Sequence, residues 1–175
     1  MTSKLKSSRG ITLVELMATV VIIGIIAAIA TPHFQKAIER IRFRSQTKNL
    51  VSMLRTARSH AISEKKPYGV AFDFSANTVS LFLDSANLGA NTYEPGADSL
   101  IAVDTLPPEF MSCYSTFAGS AVVFQPNGSA SSTGDINLRA ATESEISESQ
   151  INVLASTGRS KITYICNMGG YEQVN

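Results

Sequence analysis

The stretch ITLVELMATVVIIGIIAAIA, residues 11–30, decides the fold, because Glu15 is its only ionisable side chain. At about 1.5 Å of rise per residue, a helix of this length spans roughly 30 Å, the hydrocarbon thickness of a bilayer. In lipid, a single segment must bond every backbone polar group internally, and a helix does so. The stretch therefore predicts a membrane-spanning helix. The alternative, a buried core helix, is rarely apolar over so long a run.

Charge is segregated along the 175-residue chain, although the total of 15 Lys and Arg against 14 Asp and Glu nearly cancels. Residues 1–10 hold three basic side chains and no acid, residues 33–66 hold nine against two acids, and residues 67–175 hold three against eleven. A near-zero total excludes a globally basic nucleic-acid binder and an acidic disordered tail. We expect four segments: a basic leader 1–10, a transmembrane half-helix 11–31, an amphipathic half-helix 32–66 and an extracytoplasmic β domain 67–175.

The helical pattern continues beyond Pro32, which should kink the helix because it lacks a backbone N–H. Basic side chains occupy much of the remaining surface, as an amphipathic helix requires. The residue before a proline disfavours helix, so the helix should end between Ser63 and Pro67. Apolar residues recur at three- and four-residue spacing, first at Phe34, Ala37, Ile38 and Ile41, then at Leu50, Val51, Leu54, Ala57 and Ala61.

The remainder of the chain has the alternation of a β domain. Residues 68–74 and 78–83 alternate apolar and polar side chains around the turn Ser75-Ala76-Asn77, which predicts a hairpin. Residues 84–99 and 140–149 are polar and read as loops. The predicted fold class is α+β, in which a long kinked N-terminal helix with a membrane-spanning first half packs on a C-terminal antiparallel β domain. Further short strands are expected at 121–125, 136–139, 151–155 and 161–166.

Glu15 is the most unusual residue of the apolar run. An ionised carboxylate at the bilayer centre costs on the order of 3 kcal/mol, so intramembrane acids usually have a partner. One interpretation places Glu15 close enough to the interface to reach water, aided by the positive N-terminus of the helix. The other needs a nearby cation, and residues 10–35 contain no Lys or Arg. Cleavage of the Gly10–Ile11 bond would create one, the α-amino group of Ile11, within one helical turn of Glu15.

The residues Arg9-Gly10-Ile11-Thr12-Leu13-Val14-Glu15-Leu16, followed by an apolar run with Gly24 and Pro32, resemble a known signal. It is the class III signal of type IV pilins and type II secretion pseudopilins, which a prepilin peptidase cuts after the glycine and methylates at the new N-terminus. The resemblance implies cleavage after Gly10, N-methylation of Ile11 and a role for Glu15 in subunit assembly. Ile11 stands where phenylalanine is usual in the family.

The C-terminal half is similar to the GspH/FimT group of minor pilins, as is the helix segment 54–62. In that group the subunits sit at or near the filament tip and help initiate filaments that secrete folded proteins or act as retractable pili. The resemblance implies an inner-membrane location and, as partners, other pilin or pseudopilin subunits, a prepilin peptidase and membrane lipid. No cofactor, metal or small-molecule substrate is expected. The residues that carry this similarity are Phe124, Pro126, Gly128, Ile136, Leu138, Ile151, Val153, Gly158 and Arg159.

Two observations compete with this interpretation. Ala28-Ile29-Ala30 satisfies the small-residue rule of an ordinary secretory signal, which would release a soluble protein that begins at Thr31. The apolar run, however, is longer than the usual stretch of about 7–15 residues and contains Glu15. Second, five basic residues in 36–48 follow the run closely and three precede it, which by the positive-inside rule would place the β domain in the cytoplasm. We favour the processing motif, since acidic neighbours can cover the basic stretch when subunits bundle.

DNA binding is the alternative function. Arg159 and Lys161 follow Gly158 and fall on one side of a strand, because side chains alternate along it. Some FimT-like minor pilins bind DNA through a basic motif in this region, so the resemblance allows it here. The competing interpretation is that Arg159 closes the turn and pairs with an acid. The excess of acids over residues 67–175 argues against broad affinity for phosphate.

Catalysis is not expected. The two histidines, His33 and His60, lie on the helix without the spaced ligands or nucleophile–base company that a metal site or a catalytic pair needs. Cys113 and Cys166 are expected to form a disulfide if the domain is exported. The alternative is two buried free thiols.

Overall fold

The computed structural model describes residues 11–85, 91–107, 110–141, 146–166 and 170–174. One helix, α1, runs from Leu13 to Glu64 and has Pro32 inside it. The predicted helix and its end before Pro67 are therefore confirmed, whereas the kink at Pro32 stays a prediction. The chain divides into two compact units, Met1–Glu39 and Arg40–Asn175.

The first unit, as far as it is described, consists of the apolar part of α1. Every side chain from residue 11 to residue 37 is exposed. Among the described residues, α1 is the one helix long and apolar enough to span a membrane, and its apolar window is entirely exposed. A contiguous exposed apolar surface of this kind marks a site of interaction with a membrane or another protein.

The second unit contains the rest of α1 and two antiparallel sheets. The four-stranded sheet has the order β3-β2-β1-β5, and the five-stranded sheet has the order β4-β6-β7-β8-β9. A short 3-10 helix, Ala118–Ser120, precedes β5. The α+β fold class is confirmed. The strands are β1 (Tyr68–Asp73), β2 (Thr78–Leu83), β3 (Ser99–Thr105), β4 (Phe110–Ser115), β5 (Ala121–Phe124), β6 (Gly134–Ala141), β7 (Ile146–Val153), β8 (Ser160–Cys166) and β9 (Gly170–Val174).

The predicted β1–β2 hairpin forms, and Asp73 holds its turn. One carboxylate oxygen of Asp73 accepts hydrogen bonds from the backbone N–H groups of Ser75, at 2.9 Å, and Ala76, at 3.0 Å. Asn77 supplies a positive φ of 53°, which asparagine tolerates better than most residues. The Asp73 side chain therefore stabilises the turn by bonding two backbone N–H groups within it.

One face of the second half of α1 enters the core. Leu50, Val51, Leu54, Ala57 and Ala61 are all buried, as the spacing predicted. Upstream of them, Phe34 and Ile41 are exposed, whereas Phe43 and Thr47 are buried. The hydroxyl oxygens of Thr47 and Ser149 lie 3.2 Å apart in this core, so a buried polar contact joins α1 to β7.

The prediction of a loop at residues 140–149 is wrong in part, because β7 begins at Ile146. Ser149 is a core position that holds a polar side chain, fully buried against Thr47. A hydroxyl at an inward position hides the apolar alternation by which a strand is recognised. The strands β3, β4 and β9 were not predicted, and β3 has no buried residue at all.

The predicted disulfide does not fit this sheet. Cys113 is a half-buried free cysteine on β4, whereas Cys166 lies on β8, and the strands β6 and β7 lie between them. Three strand spacings amount to about 14 Å, and a disulfide needs Cα atoms within about 7 Å. The sequence could not reveal this, because cysteine count and export say nothing about strand order. Burial raises the pKa of the Cys113 thiol.

Candidate functional site

The start of α1 is a reciprocal hydrogen-bonded cap made by Thr12 and Glu15. The Glu15 carboxylate accepts hydrogen bonds from the backbone N–H of Thr12, at 3.2 Å, and from its hydroxyl, at 3.0 Å. The Thr12 hydroxyl oxygen in turn accepts the backbone N–H of Glu15 at 3.2 Å. This is the capping-box arrangement, in which two otherwise unsatisfied backbone donors are bonded at once.

The cap gives Glu15 a second role that sequence reasoning missed. The pattern Thr-x-x-Glu before an apolar run was a readable signal for it. The interpretations drawn from the sequence named water, the helix N-terminus and a cation as partners of the Glu15 carboxylate. The cap identifies two neutral donors on Thr12 of the same chain. A carboxylate held by such donors is less costly in an apolar environment than a bare one.

The proposed processing position adjoins this cap. Ile11 is described and is 78% exposed, whereas Gly10 lies outside the described residues. Cleavage before Ile11 would leave its amine one residue from the Thr12 N–H that Glu15 already bonds. The roles of Gly10, Ile11, Glu15 and Pro32 in processing and assembly stay predictions.

A second candidate site lies within the second unit, and we call it the cationic groove. One wall is a stripe of α1 made by Lys48, Ser52, Arg55, Ser59 and Ile62, and the other is the segment 158–162 at the start of β8. Its cavity volume is about 600 Å³. Besides the wall residues, Arg58 and Val51 line it.

Two glycine turns meet at Arg58 and fix the groove's shape. The Nε–H of Arg58 donates to the carbonyl oxygen of Gly128 at 2.9 Å. A Cβ atom on Gly158 would lie only 2.2 Å from that same oxygen, and Gly158 also has a positive φ of 61°. Glycine is therefore needed at this position both for its backbone conformation and for the close approach.

The structure brings the predicted pair Arg159 and Lys161 to this groove. Both line it, Arg159 exposed and Lys161 half-buried. The backbone of Arg159 closes the turn, since its carbonyl accepts the N–H of Leu154 at 3.0 Å. The guanidinium that reaches the neighbouring turn is that of Arg58, which sequence reasoning did not single out. Lys48 and Arg55 were also missed, since they lie far from Arg159 in sequence.

The end of α1 carries a small ionisable cluster. The Glu64 carboxylate lies 3.0 Å from Nδ1 of His60 and accepts a hydrogen bond from the Tyr68 hydroxyl. These contacts, that from Tyr68 first and that from His60 second, hold the pKa of Glu64 below its ordinary value. The hydrogen bond to Glu64, with a lesser contribution from burial, raises the pKa of Tyr68 to about 12. The cluster joins the helix end to β1.

Two family models match the chain. The model described as type II transport protein GspH matches residues 46–158, more than half of the chain. The model of the prokaryotic N-terminal methylation motif matches residues 5–31. The first covers the helix wall of the groove and strands β1 to β7, and it ends at Gly158, before Arg159 and Lys161. The second covers the proposed cleavage position and the apolar run.

Type IV pilin and fimbrial proteins are similar to part of the chain. The type IV major pilin protein PilA of Myxococcus xanthus is 48% identical over 61 residues, which are 35% of this chain and 27% of that protein. A fimbrial protein of Pseudomonas aeruginosa is 45% identical over 62 residues, 35% of this chain and 40% of that protein. The type IV major fimbrial protein FimA of Dichelobacter nodosus is 34% identical over 100 residues, 51% of this chain and 64% of that protein.

The chain thus spans between about a quarter and two fifths of the length of the first two relatives. No solved structure matches it significantly. The GspH model matches more than half of the chain, and the methylation motif precedes it. The long helix followed by antiparallel sheets agrees with both matches. The chain belongs to the GspH family of type IV pilin-like proteins.

Proposed function

We propose that the chain is the precursor of a minor pilin or pseudopilin that is cut after Gly10, N-methylated on Ile11 and assembled at or near the tip of a filament. There it helps to initiate the filament of a type II secretion system or a type IV pilus. The observation that carries the proposal is the fully exposed apolar half of α1, whose first turn is capped by the contact between Thr12 and Glu15.

The physical mechanism is partition followed by pairing. In the membrane, lipid covers the exposed apolar helix surface and the Thr12 cap satisfies part of the Glu15 carboxylate. In a filament, other helices replace lipid, and the carboxylate meets the α-amino group of a neighbouring Ile11. An ion pair in such an apolar environment is strong because the dielectric is low. We place the β domain, residues 67–175, on the extracytoplasmic side of the inner membrane.

The test separates the charge of Glu15 from its capping role. Glutamine also serves in a capping box, so Glu15→Gln keeps the cap while it removes the charge, and Glu15→Ala removes both. We expect both variants to insert into the membrane and both to be lost from purified filaments, measured by immunoblot. Normal incorporation of Glu15→Gln would show that the cap suffices and would refute the pairing mechanism.

DNA binding is the second candidate, and one observation favours it. Arg159 and Lys161 line the same groove as Lys48, Arg55 and Arg58, which concentrates positive charge on a domain whose residues 67–175 are acidic overall. If DNA binds here, Arg159→Ala with Lys161→Ala should abolish retention of a duplex oligonucleotide at low salt. Absence of retention by the unaltered chain would discard this candidate.

A further inference from the structure

The lining of the cationic groove defines the chemistry of a ligand. Five cationic side chains line it, from α1 and from the start of β8: Lys48, Arg55, Arg58, Arg159 and Lys161. Within the described part of the chain, no lining residue is acidic. The floor is apolar where the buried side chains of Val51 and Ile162 reach it. A ligand for this groove therefore carries negative charge together with an apolar group.

The length of the groove indicates the size of the ligand. The α1 wall runs from Lys48 to Ile62, and at about 1.5 Å per residue this is roughly 21 Å. An extended peptide of about six residues has the same length at roughly 3.3 Å per residue. The groove volume of about 600 Å³ is in the range of sites that enclose a few side chains.

The arginines favour carboxylates as the charged groups. Arg55 and Arg159 are exposed and lie on opposite walls, so each guanidinium can present a planar pair of donors to a carboxylate. Arg58 has one N–H committed to Gly128, which orients its remaining donors. Hydroxyl groups of Ser52 and Ser59 on the helix wall add further donors.

A nucleic acid suits the groove less well than a peptide does. Specific DNA interfaces bury about 1,000–2,500 Å² of protein surface and are much more positively charged than protein–protein interfaces. The unit that holds the groove, residues 40–175, is close to neutral, with eleven basic residues against twelve acids. A long polyanion therefore gains attraction mainly where it crosses the groove. A short segment meets mainly the cations within a screening length of about 8 Å.

We propose that the cationic groove binds an acidic peptide segment of a neighbouring pilin subunit, with at least two carboxylates and one apolar side chain within about six residues. The inference rests on the proposed function, because it assumes that such subunits pack beside this one. Binding would place the partner segment between Arg55 on the helix and Arg159 on the turn, with its apolar side chain over Ile162. Pairing here would also neutralise part of the basic stretch of α1.

Photo-crosslinking in the native cell tests the proposal with the full chain. A benzophenone amino acid replaces Ser59, which is exposed and lines the groove, and a second variant carries it at Val20 in the apolar helix. We expect the Ser59 probe to form an adduct with another pilin subunit, at a peptide that contains at least two Asp or Glu residues. The Val20 probe should form adducts with neighbouring subunits whatever binds the groove.

Charge changes then show whether the cations hold the segment. Arg55→Glu with Arg159→Glu should reduce the Ser59 adduct about tenfold or more, and Arg55→Gln with Arg159→Gln should reduce it in the same direction but less. The control, Lys65→Glu with Lys66→Glu, makes the same change in net charge at exposed residues outside the lining. It should leave the adduct within about twofold of the unaltered chain.

Each remaining outcome overturns the inference. A nuclease-sensitive adduct, a peptide without acids, no adduct at Ser59 or an equal loss in the two Glu-containing variants would each refute it. If Val20 forms adducts while Ser59 does not, the groove assignment fails and the filament role stands. Loss of adducts at both positions would refute the filament role itself.

Discussion

Arg58 and Gly128 are joined by a hydrogen bond of 2.9 Å from the guanidinium Nε–H to the backbone carbonyl oxygen. The contact ties the middle of the helix wall to the turn after β5, seventy residues later in the chain. Gly158 lies against the same carbonyl oxygen. The second half of α1 and two separate turns are thus fixed at one point, and the cationic groove opens beside it.

Gly158→Ala should destabilise the domain by about 2–4 kcal/mol, because a positive φ of 61° is combined with a contact of 2.2 Å between the new Cβ and the Gly128 oxygen. Thermal or denaturant unfolding of the full chain in detergent measures the loss. Gly96→Ala is the matched control, since Gly96 has a φ of 89° and no atom within 4 Å of a Cβ. It should cost only about 1 kcal/mol, and equal losses for the two variants would contradict the close approach.

Thr47→Val should cost about 1–3 kcal/mol, because it leaves the Ser149 hydroxyl buried without the partner it has at 3.2 Å. Adding Ser149→Ala to Thr47→Val removes the hydroxyl that lost its partner. The double variant should therefore recover part of the loss, as a double-mutant cycle on unfolding free energies would show. Strict additivity of the two single losses would mean that the two hydroxyls do not interact.

Glu64→Gln should lower the pKa of Tyr68 from about 12 toward its ordinary value of 10.0, because the hydrogen bond to Glu64 is the largest cause of the shift. A pKa raised by folding contributes stability that is present below pH 10.0 and is lost as the pH rises through about 12. The difference in tyrosinate absorbance between the two proteins measures the change. An unaltered titration would show that the Glu64 contact is absent in solution.

Thiol counting tests the correction at Cys113. We expect two titratable thiols in the unfolded chain with and without reductant, since the sheet order keeps Cys113 and Cys166 apart. In the folded chain, Cys113 should react slowly at neutral pH because burial raises its pKa. A thiol count that rises only after reduction would restore the disulfide.

The sequence alone predicted the elements for which one local signal is strong. The bounds of α1 followed from the apolar run and from Pro67, and the β1–β2 hairpin followed from alternation around residues 75–77. The Thr12 cap was readable but overlooked. In each case the deciding residues are close neighbours in the chain, so a local pattern carries the information.

The sequence alone did not predict the features that depend on residues far apart in the chain. Lys48 and Arg159 line one groove because α1 lies beside the start of β8. No spacing of residues in the sequence indicates this neighbourhood. The separation of Cys113 from Cys166 depends on strand order. The exposed strand β3 lacks the half-buried alternation by which strands are found.

The N-terminus of the mature protein tests the central claim most directly. Intact mass and Edman sequencing of the chain purified from membranes should give a protein that begins at Ile11 and carries one added methyl group. That result would place a positive amine beside the capped Glu15, as the account requires. A chain that begins at Met1, Thr2 or Thr31 would contradict it. A chain that begins at Ile11 but whose α-amino group is blocked, and therefore uncharged, would contradict it too.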